Sequence, residues 1–388
     1  MIKELINFTD SLDEEFKNLG SLPKEGLHIL INSIVNKASE VSIDLENLRY
    51  EQFSKKQKDE PSDFLSYCKL LHQNAWCIDT NKCFDLPTKA IHTCSPFAVG
   101  FKKEYLEGGT KFKESKGKKK QIYERFGDYF NKAFALLENE EEKEKYVLFK
   151  HLFTHNQFSK ILAKIEGEQA EIRQHLEEKN EQLKNQFKES KDKGQKEALK
   201  EKITQTEQEL LKVKPLEDSS YLIFYFDVPL ELYKSVHKRY LDDKLFNTDK
   251  YNTTPSADGL IFGTNNFLNG FNGNMPFLMH QTASFDISGR ISNVEARLLN
   301  DLKNVFPNKT LPNPLPIFIY KDEMLQDKVI GIFRESGFKF GYKEIIQKLL
   351  EVHEEDISNY YLLFWQNTID GIVFRDFDFV SRFEYKLK

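Results

Sequence analysis

The segment from residue 263 to residue 274, GTNNFLNGFNGN, concentrates side-chain amides on a glycine-rich backbone. A carboxamide carries a donor and an acceptor in one small group, so it can meet the edges of nucleobases in either groove of a duplex. Glycine permits the close main-chain approach that the narrow minor groove requires. The alternative is a turn whose asparagines satisfy their own main chain, and composition favours neither. The candidate base-reading residues are Asn265, Asn266, Asn269, Asn272 and Asn274.

A second candidate is the lysine-rich stretch from Lys102 to Arg125, which holds nine Lys or Arg against four Glu. Three glycines interrupt it, so we expect much of it to be a loop. Such loops bind phosphate without sequence preference and with an affinity that falls steeply with salt. A solvated loop without a ligand is the alternative. The candidate phosphate-binding residues are Lys102, Lys103, Lys113, Lys118, Lys119 and Lys120.

A pair of carboxylates, Asp376 and Asp378, stands in the motif DFDF. On a strand, residues two apart point to the same face, so both could contact one divalent cation. This is one requirement of a metal-dependent nuclease, which we keep as an alternative function. No third carboxylate, Lys or His stands at a matching distance, and the polar face of an edge strand is the better interpretation.

Four cysteines, Cys68, Cys77, Cys83 and Cys94, fall within 27 positions. They are weak candidates for a zinc site, because no pair has the close spacing that forms a zinc knuckle. Free or buried thiols are the preferred interpretation. The sequence contains no phosphate-binding P-loop, nucleophile elbow or zinc-protease helix. We therefore predict a protein without catalytic activity, resident metal or cofactor.

The composition limits both the partners and the compartment of the chain. A net charge of −5 excludes a generally basic, histone-like protein, so any nucleic-acid surface must be local. The opening MIKELINFTDSLDEEF is amphipathic and acidic, where a secretory signal needs an apolar run. The longest aromatic-aliphatic run, YLIFYF at 221–226, is far shorter than the ~20 residues of a membrane span. We expect a cytoplasmic protein that does not associate with membranes.

The spacing of apolar residues along the chain predicts an α+β fold with several mixed α/β domains. Residues 1–50 look mostly helical, because Leu27, Leu30, Ile31 and Ile34 recur at helical intervals. Apolar residues then recur at threes, fours and sevens over 161–214, with a break at Gly194, which predicts an inserted antiparallel helical hairpin. A coiled-coil structural or dimerisation arm is one alternative function.

The rest of the chain, from residue 215 on, is predicted to consist of alternating strands and helices. A buried strand is expected at 221–226, and Ser292 and Glu295 have the spacing of a capping box at a helix start. Two strands are expected to turn at Asp370 and Gly371. The predicted domains are 1–160, with the basic loop, the hairpin at 161–214, and 215–388, with the asparagine-rich loop.

Several of these segments, in this order, resemble the large subunit of type I-B CRISPR Cascade complexes. The similar segments are RYLDDKLFNTDKYN, then GLIFGTNNFLNGFNGNMPFLMHQTASFDISGRISNVEARLL, LPNPLPIFI, and YYLLFW followed by DFDFV. Upstream, DLPTKAIHTCSPFAVGFKKE looks like the family's basic segment followed by a Ser/Asn–Pro–Phe strand. The likeness covers about 215–388 and, more weakly, about 75–135.

The resemblance implies a non-catalytic role in antiviral defence. In such complexes the large subunit lies at the 5′ end of a guide RNA. It tests double-stranded DNA for a short flanking motif, the PAM, and helps to open the duplex. The implied partners are guide RNA, target double-stranded DNA, the other Cascade subunits and a separate helicase-nuclease. In such complexes base pairing with the guide RNA determines which sequence is bound, while the protein recognises the PAM and contacts the nucleic-acid backbone.

One difference from the family concerns the carboxyl-terminal end. Members usually continue past the DFDFV strand into a helical bundle, whereas this sequence ends at Lys388. We therefore expect either a truncated form or a complex in which the bundle is supplied separately.

Overall fold

The computed structural model describes most of the chain, which divides into two compact units. The described residues are 2–35, 41–57, 59–112, 121–246, 252–254, 259–263, 265, 290–319, 328–332, 341–352, 357–368 and 371–382. The central unit is Leu22–Tyr240, and the flanking unit joins Met1–Ser21 to Leu241–Lys388.

The helices and strands alternate irregularly along the chain. The helices are α1 Ile2–Asp10, α2 Glu14–Asn18, α3 Asp63–Gln73, α4 Phe126–Ala133, α5 Glu140–Thr154, α6 Phe158–Glu189, α7 Lys193–Lys212, α8 Leu230–Lys244, α9 Asn293–Val305 and α10 Tyr342–Val352. The strands are β1 Gly26–Ile31, β2 Ser33–Val35, β3 Val41–Ile43, β4 Arg49–Phe53, β5 Ala98–Lys102, β6 Tyr221–Phe226, β7 Phe262–Gly263, β8 Ile291–Ser292, β9 Leu315–Phe318, β10 Ser358–Thr368 and β11 Gly371–Arg382.

A four-stranded sheet in the order β4-β1-β6-β5 forms the centre of the central unit. β1 runs parallel to β6, and the two outer pairings are antiparallel. The prediction of helix around Leu27 and Leu30 is therefore wrong. Every residue of β1 is buried, and a strand buried on both faces shows no alternation that would distinguish it from a helix.

Phenylalanine side chains fill the space between this sheet and the helices that pack on it. Phe101, Phe126, Phe153, Phe158 and Phe224 are all buried, and their rings pack edge-on or stacked with several centroids 5.1 to 6.0 Å apart. These are the separations of favourable aromatic pairs. The core explains much of the unusually high phenylalanine content.

The predicted antiparallel helical hairpin is present as α6 and α7. Lys184 pairs with Glu207 at 2.9 Å, and further back along α6 the Arg173 Nε donates to the Val213 carbonyl at 2.9 Å, so the helices run in opposite directions. The turn comes before Gly194, which lies inside α7. β6 follows the hairpin and pairs with β1 and β5, so the predicted boundaries at 160 and 215 both fall inside the central unit.

The flanking unit is built on a three-stranded antiparallel sheet in the order β11-β10-β9. Helix α9 begins with the predicted capping box, in which the Ser292 hydroxyl accepts from the Glu295 N–H while the Glu295 carboxylate accepts from the Ser292 N–H. Lys17 of α2 lies 3.7 Å from Asp301 of α9. The two units together confirm the predicted mixed α+β, multidomain fold. Within the described residues, no helix is both long and apolar enough to cross a membrane.

Candidate nucleic-acid interface

One end of the four-stranded sheet gathers four lysines. Gly26 of β1 lies opposite Tyr221 of β6, and Tyr221 lies opposite Lys102 of β5. Lys24 stands two residues before Gly26, and Lys55 stands two residues after Phe53, the residue of β4 that pairs with Gly26. Together with Lys111, these side chains and the rings of Trp76, His92 and Tyr221 form what we call the sheet-end surface.

Lys24 lies at the centre of this surface, above two aromatic rings. Its Nζ is 4.8 Å from the centroid of the Tyr221 ring and 5.3 Å from that of Trp76. Both distances fall within the range of cation–π attraction. The rings thus hold the ammonium group partly out of water without neutralising its charge.

The pKa of Lys24 is lowered, and the causes show how cationic the surface is. Burial lowers this pKa most, and the charge on Lys55 lowers it further. Glu25 opposes the shift, while Lys102 adds to it. Within the described residues, none of these three lysines forms an ion pair. An anion placed here would stabilise every one of these ammonium groups.

His92 is held in a neutral form beside Lys24. Its Nε2 donates to the Lys89 carbonyl at 3.0 Å, so its Nδ1 accepts from the Tyr221 hydroxyl at 2.9 Å. Burial lowers the pKa of His92, the Lys89 carbonyl raises it, and Lys24, Lys102 and Lys111 lower it again. The imidazole therefore orients the Tyr221 ring rather than adding a charge.

The loop that leads to His92 is fixed by the buried carboxylate of Asp85. Its Oδ2 accepts from the main-chain N–H groups of Ala90 at 2.9 Å and Ile91 at 3.3 Å. Its Oδ1 accepts from the Arg125 Nε at 2.7 Å. The charge of Asp85 is thus compensated, and its effect is to hold the loop that carries His92.

Trp76 completes the aromatic part of the surface. The ring of His72 packs on it with centroids 4.5 Å apart, and the Tyr221 ring meets it edge-on at 5.3 Å. The indole also lies on Gly100 of β5, where a Cβ would come within 2.9 Å of the ring. The absence of a side chain at Gly100 therefore lets the partly exposed Trp76 pack against β5.

This combination suits a single-stranded or frayed nucleic acid. Aromatic rings provide faces on which bases of any sequence stack, and unpaired ammonium groups attract the phosphates between them. A bound phosphate would also supply the counter-charge that Lys24, Lys55, Lys102 and Lys111 lack among the residues the structure describes.

The predicted lysines divide into three groups. Lys102 belongs to the sheet-end surface. Lys103 points elsewhere, since its Nζ donates to the Leu216 carbonyl at 3.3 Å and lies 4.0 Å from a Glu166 carboxylate oxygen. Lys113, Lys118, Lys119 and Lys120 lie outside the described residues.

Of the asparagine-rich segment, the structure describes Gly263 and Asn265. The Asn265 amide Nδ2 donates to the Leu245 carbonyl at 2.8 Å, so this amide fastens the flanking unit's own main chain. Asn266, Asn269, Asn272 and Asn274 lie outside the described residues.

Asp376 and Asp378 lie on β11, which pairs with β10 at the edge of the sheet of the flanking unit. Each carboxylate accepts from the main-chain N–H of the next residue, at 2.9 Å for Phe377 and 3.2 Å for Phe379. Both carboxylates are exposed. Among the described residues, no group of three or more His, Cys, Asp or Glu side chains could hold a metal ion.

The four cysteines are buried free thiols. The Sγ atoms of Cys77, Cys83 and Cys94 lie 3.3, 3.0 and 3.4 Å from the carbonyl oxygens of Thr93, Thr80 and Ala75. A thiol can donate to a carbonyl, whereas a thiolate would be repelled by it. Burial raises the pKa of Cys68 to about 12 and that of Cys83 to about 11. These surroundings favour protonated thiols over metal-binding thiolates.

Sequence reasoning missed Lys24, Lys55, Lys111, Trp76 and Tyr221. Lys24, Lys55 and Tyr221 come from separate parts of the chain and meet because β1 pairs with β4 on one side and with β6 on the other. Trp76 reaches them by packing on Gly100 of β5. Two sequence signals pointed to this place: the lysine-rich stretch, which holds Lys102 and Lys111, and the segment from Asp85 to Glu104, which carries His92 and Lys102.

Comparison of the chain with protein-family models, with curated proteins and with solved structures finds no match.

Proposed function

We propose that this protein is the non-catalytic large subunit of a type I-B CRISPR Cascade complex. In this role it binds guide RNA and target double-stranded DNA, recognises the PAM and helps to open the duplex. The other Cascade subunits and a helicase-nuclease are its protein partners, and the cytoplasm is its compartment. The resemblance of the sequence segments is our reason for proposing this particular complex.

The observation that carries the proposal is the convergence, at the sheet-end surface, of aromatic rings and lysines that form no ion pair within the described part of the chain. Lys24 and Lys102 supply ammonium groups, and Trp76 and Tyr221 supply the rings. Two of the surface's residues, His92 and Lys102, lie in DLPTKAIHTCSPFAVGFKKE, one of the segments that carry the resemblance. A surface of this kind contacts phosphates and bases without reading much sequence, as expected for a protein that leaves sequence reading to base pairing.

The nuclease alternative has less support. The carboxylates of Asp376 and Asp378 are engaged with the main chain of their own strand, and in the described residues no third ligand accompanies them. It predicts cleavage of DNA by the isolated protein with Mg²⁺ or Mn²⁺, abolished by Asp376→Ala. Cleavage with that dependence would replace the proposal.

The experiment that tests the proposal is purification of the tagged protein from its native host, followed by identification of co-eluting proteins and nucleic acids. We expect several different subunits and a set of short RNAs that share one constant 5′ end. A monomer or homodimer without RNA, from a host that expresses guide RNAs, would contradict the proposal.

PAM recognition needs a separate measurement on the assembled complex. We expect Asn269→Ala with Asn272→Ala to reduce discrimination between flanking motifs by ~1–3 kcal/mol per lost base contact, with less change in general DNA affinity. If binding is weakened equally for all flanking sequences, these side chains contact the DNA backbone rather than the bases.

A further inference from the structure

A groove beside helices α4 and α5 of the central unit has the size of a small-ligand site. Its volume is about 560 Å³, and Asn131, Phe134, Tyr146, Lys150 and His151 are among the residues that line it. This volume lies within the usual range for sites that hold small organic ligands. None of these residues belongs to the sheet-end surface.

The wall and the floor of the groove are aromatic. Phe134 follows directly after α4 and is 48% exposed, an unusual state for so large an apolar side chain. Its ring lies 5.6 Å from that of the buried Tyr146, whose hydroxyl donates to the Phe130 carbonyl at 2.8 Å. The hydrogen bond fixes the Tyr146 ring, so the exposed Phe134 ring lies beside a rigid floor.

A cation and an amide stand next to these rings. The Lys150 Nζ lies 5.7 Å from the centroid of Tyr146 and donates to the Asn131 Oδ1 at 3.3 Å. That hydrogen bond turns the Asn131 Nδ2 away from Lys150, so its N–H groups can donate to a ligand. Lys150 keeps two further N–H bonds for an anion.

Two stacked imidazoles close the other end of the groove. The rings of His151 and His155 lie 4.1 Å apart, and both residues line the groove. The His155 Nδ1 donates to the His151 carbonyl at 3.1 Å. Together with Lys150 they give this end polar nitrogen atoms, whereas the Phe134 side chain is apolar.

We propose that this groove binds a nucleotide, with the base stacked on Phe134 and the phosphate held by Lys150. Base–aromatic stacking and a nearby ammonium group are the two interactions by which proteins hold nucleotides without sequence preference. The ligand is either a free mononucleotide or one unit of a single strand, because the chemistry of the two is the same. The site does not depend on the Cascade assignment.

The test is isothermal titration calorimetry on the full chain with thymidine monophosphate, with thymidine, and with a short single-stranded oligothymidylate. The oligothymidylate is titrated into the chain that carries Lys24→Ala and Lys102→Ala, which weakens the contribution of the sheet-end surface. We expect Phe134→Ala to weaken binding about tenfold, the usual effect of losing one base–aromatic stack. Lys150→Met should weaken thymidine monophosphate binding but not thymidine binding.

Lys145→Met is the matched control, since Lys145 lies on the same helix but does not line the groove. Thermal melting of each variant checks that it folds. Binding of thymidine monophosphate alone identifies a mononucleotide site, and binding of the oligothymidylate alone identifies a single-strand contact. The proposal is overturned if neither probe binds at up to about 1 mM. It is also overturned if folded Phe134→Ala binds as the wild type does, as expected for a peptide-docking groove.

Discussion

The sheet-end surface and the edge strand β11 both bring like charges together, yet the structure treats them differently. On β11, Asp376 and Asp378 point into water and accept hydrogen bonds from neighbouring main-chain N–H groups. At the sheet end, Lys24 lies against two rings, and burial, together with the charges of Lys55 and Lys102, lowers its pKa. Charges that are hydrogen-bonded and solvated have little to gain from a ligand. Charges that are partly desolvated and lack a counter-ion gain most from an opposite charge.

The buried Asp85 is a third case, and it shows that burial of a charge differs from the lack of a counter-charge. The Asp85 side chain is 1% exposed, yet Arg125 and two N–H groups satisfy its carboxylate. We therefore expect substitution of a buried charge that has its partners to lower the stability of the fold. Substitution of a partly buried charge without a counter-ion should instead weaken ligand binding.

The largest expected effect is that of Asp85→Ala on stability. The substitution leaves the Arg125 guanidinium and the N–H groups of Ala90 and Ile91 without their acceptor. Breaking a buried pair in this way costs ~3–5 kcal/mol, which we reduce to about 3 because Arg125 is partly exposed. Urea unfolding measures the loss, and Asp128→Ala is the control, because Asp128 is exposed and lies 3.7 Å from the same Arg125. Equal effects of the two substitutions would show that the compensation of Asp85 is unimportant.

A comparable effect is expected from pH, through the buried His28. Its Nε2 donates to the Lys24 carbonyl at 2.7 Å, and burial lowers its pKa to about 4. Between the ordinary value of about 6.5 and the folded value, the unfolded chain binds the extra proton. Stability from this group is therefore complete above pH of about 6.5 and is lost as pH falls towards 4, by up to about 3 kcal/mol.

Urea unfolding at several pH values tests this dependence. His28→Gln should flatten the curve below pH of about 6.5, whereas the exposed His175→Gln should leave it unchanged. Because burial also lowers the pKa of His237 to about 4, part of the slope should remain in His28→Gln. A curve identical to that of the wild type would contradict the account of His28.

Next in size is the effect of removing Lys24 and Lys102 together on binding of single-stranded RNA. Two lost phosphate contacts should reduce the slope of log K against log salt by ~1.4 and weaken binding about tenfold or more at low salt. The matched control is Lys143→Ala with Lys234→Ala, because these lysines already pair with Glu140 and Glu231. Electrophoretic mobility shifts over a series of salt concentrations measure both quantities. If the two double variants lose affinity equally, it makes no difference to RNA binding whether a lysine is already paired with a glutamate.

The smallest effect is expected for Asp376→Asn with Asp378→Asn. An amide oxygen still accepts the hydrogen bonds from the N–H groups of Phe377 and Phe379, so stability should change by less than about 0.5 kcal/mol. Nucleic-acid affinity should not fall. The same mobility-shift and unfolding assays apply, and a large loss in either would return these carboxylates to a functional role.

Local signals in the sequence predicted much of the fold. The hairpin of α6 and α7, the buried strand β6, the capping box of α9 and the paired strands β10 and β11 are all present. The exception is β1, whose apolar residues meet helical spacing by coincidence because every position is buried. The parallel pairing of β1 with β6 joins segments almost 200 residues apart, and no local pattern encodes that distance.

The candidate site was harder to predict from the sequence, because its residues also come together only through long-range strand pairing. Lys102 stood out in a run of lysines, but Lys24 and Lys55 are about 30 residues apart in the sequence and become a group only through the sheet. Trp76 approaches the strands because Gly100 lacks a Cβ. Nothing in either residue alone predicts that contact.

Ultraviolet cross-linking of the purified protein to RNA, with the cross-linked residues identified by mass spectrometry, shows directly whether the sheet-end surface binds nucleic acid. We expect cross-links at Trp76, Tyr221 and the lysines of the sheet-end surface, lost when excess unlabelled RNA competes. Cross-links confined to other parts of the chain, with none in the peptides that carry Lys24, Trp76, Lys102 or Tyr221, would contradict this expectation.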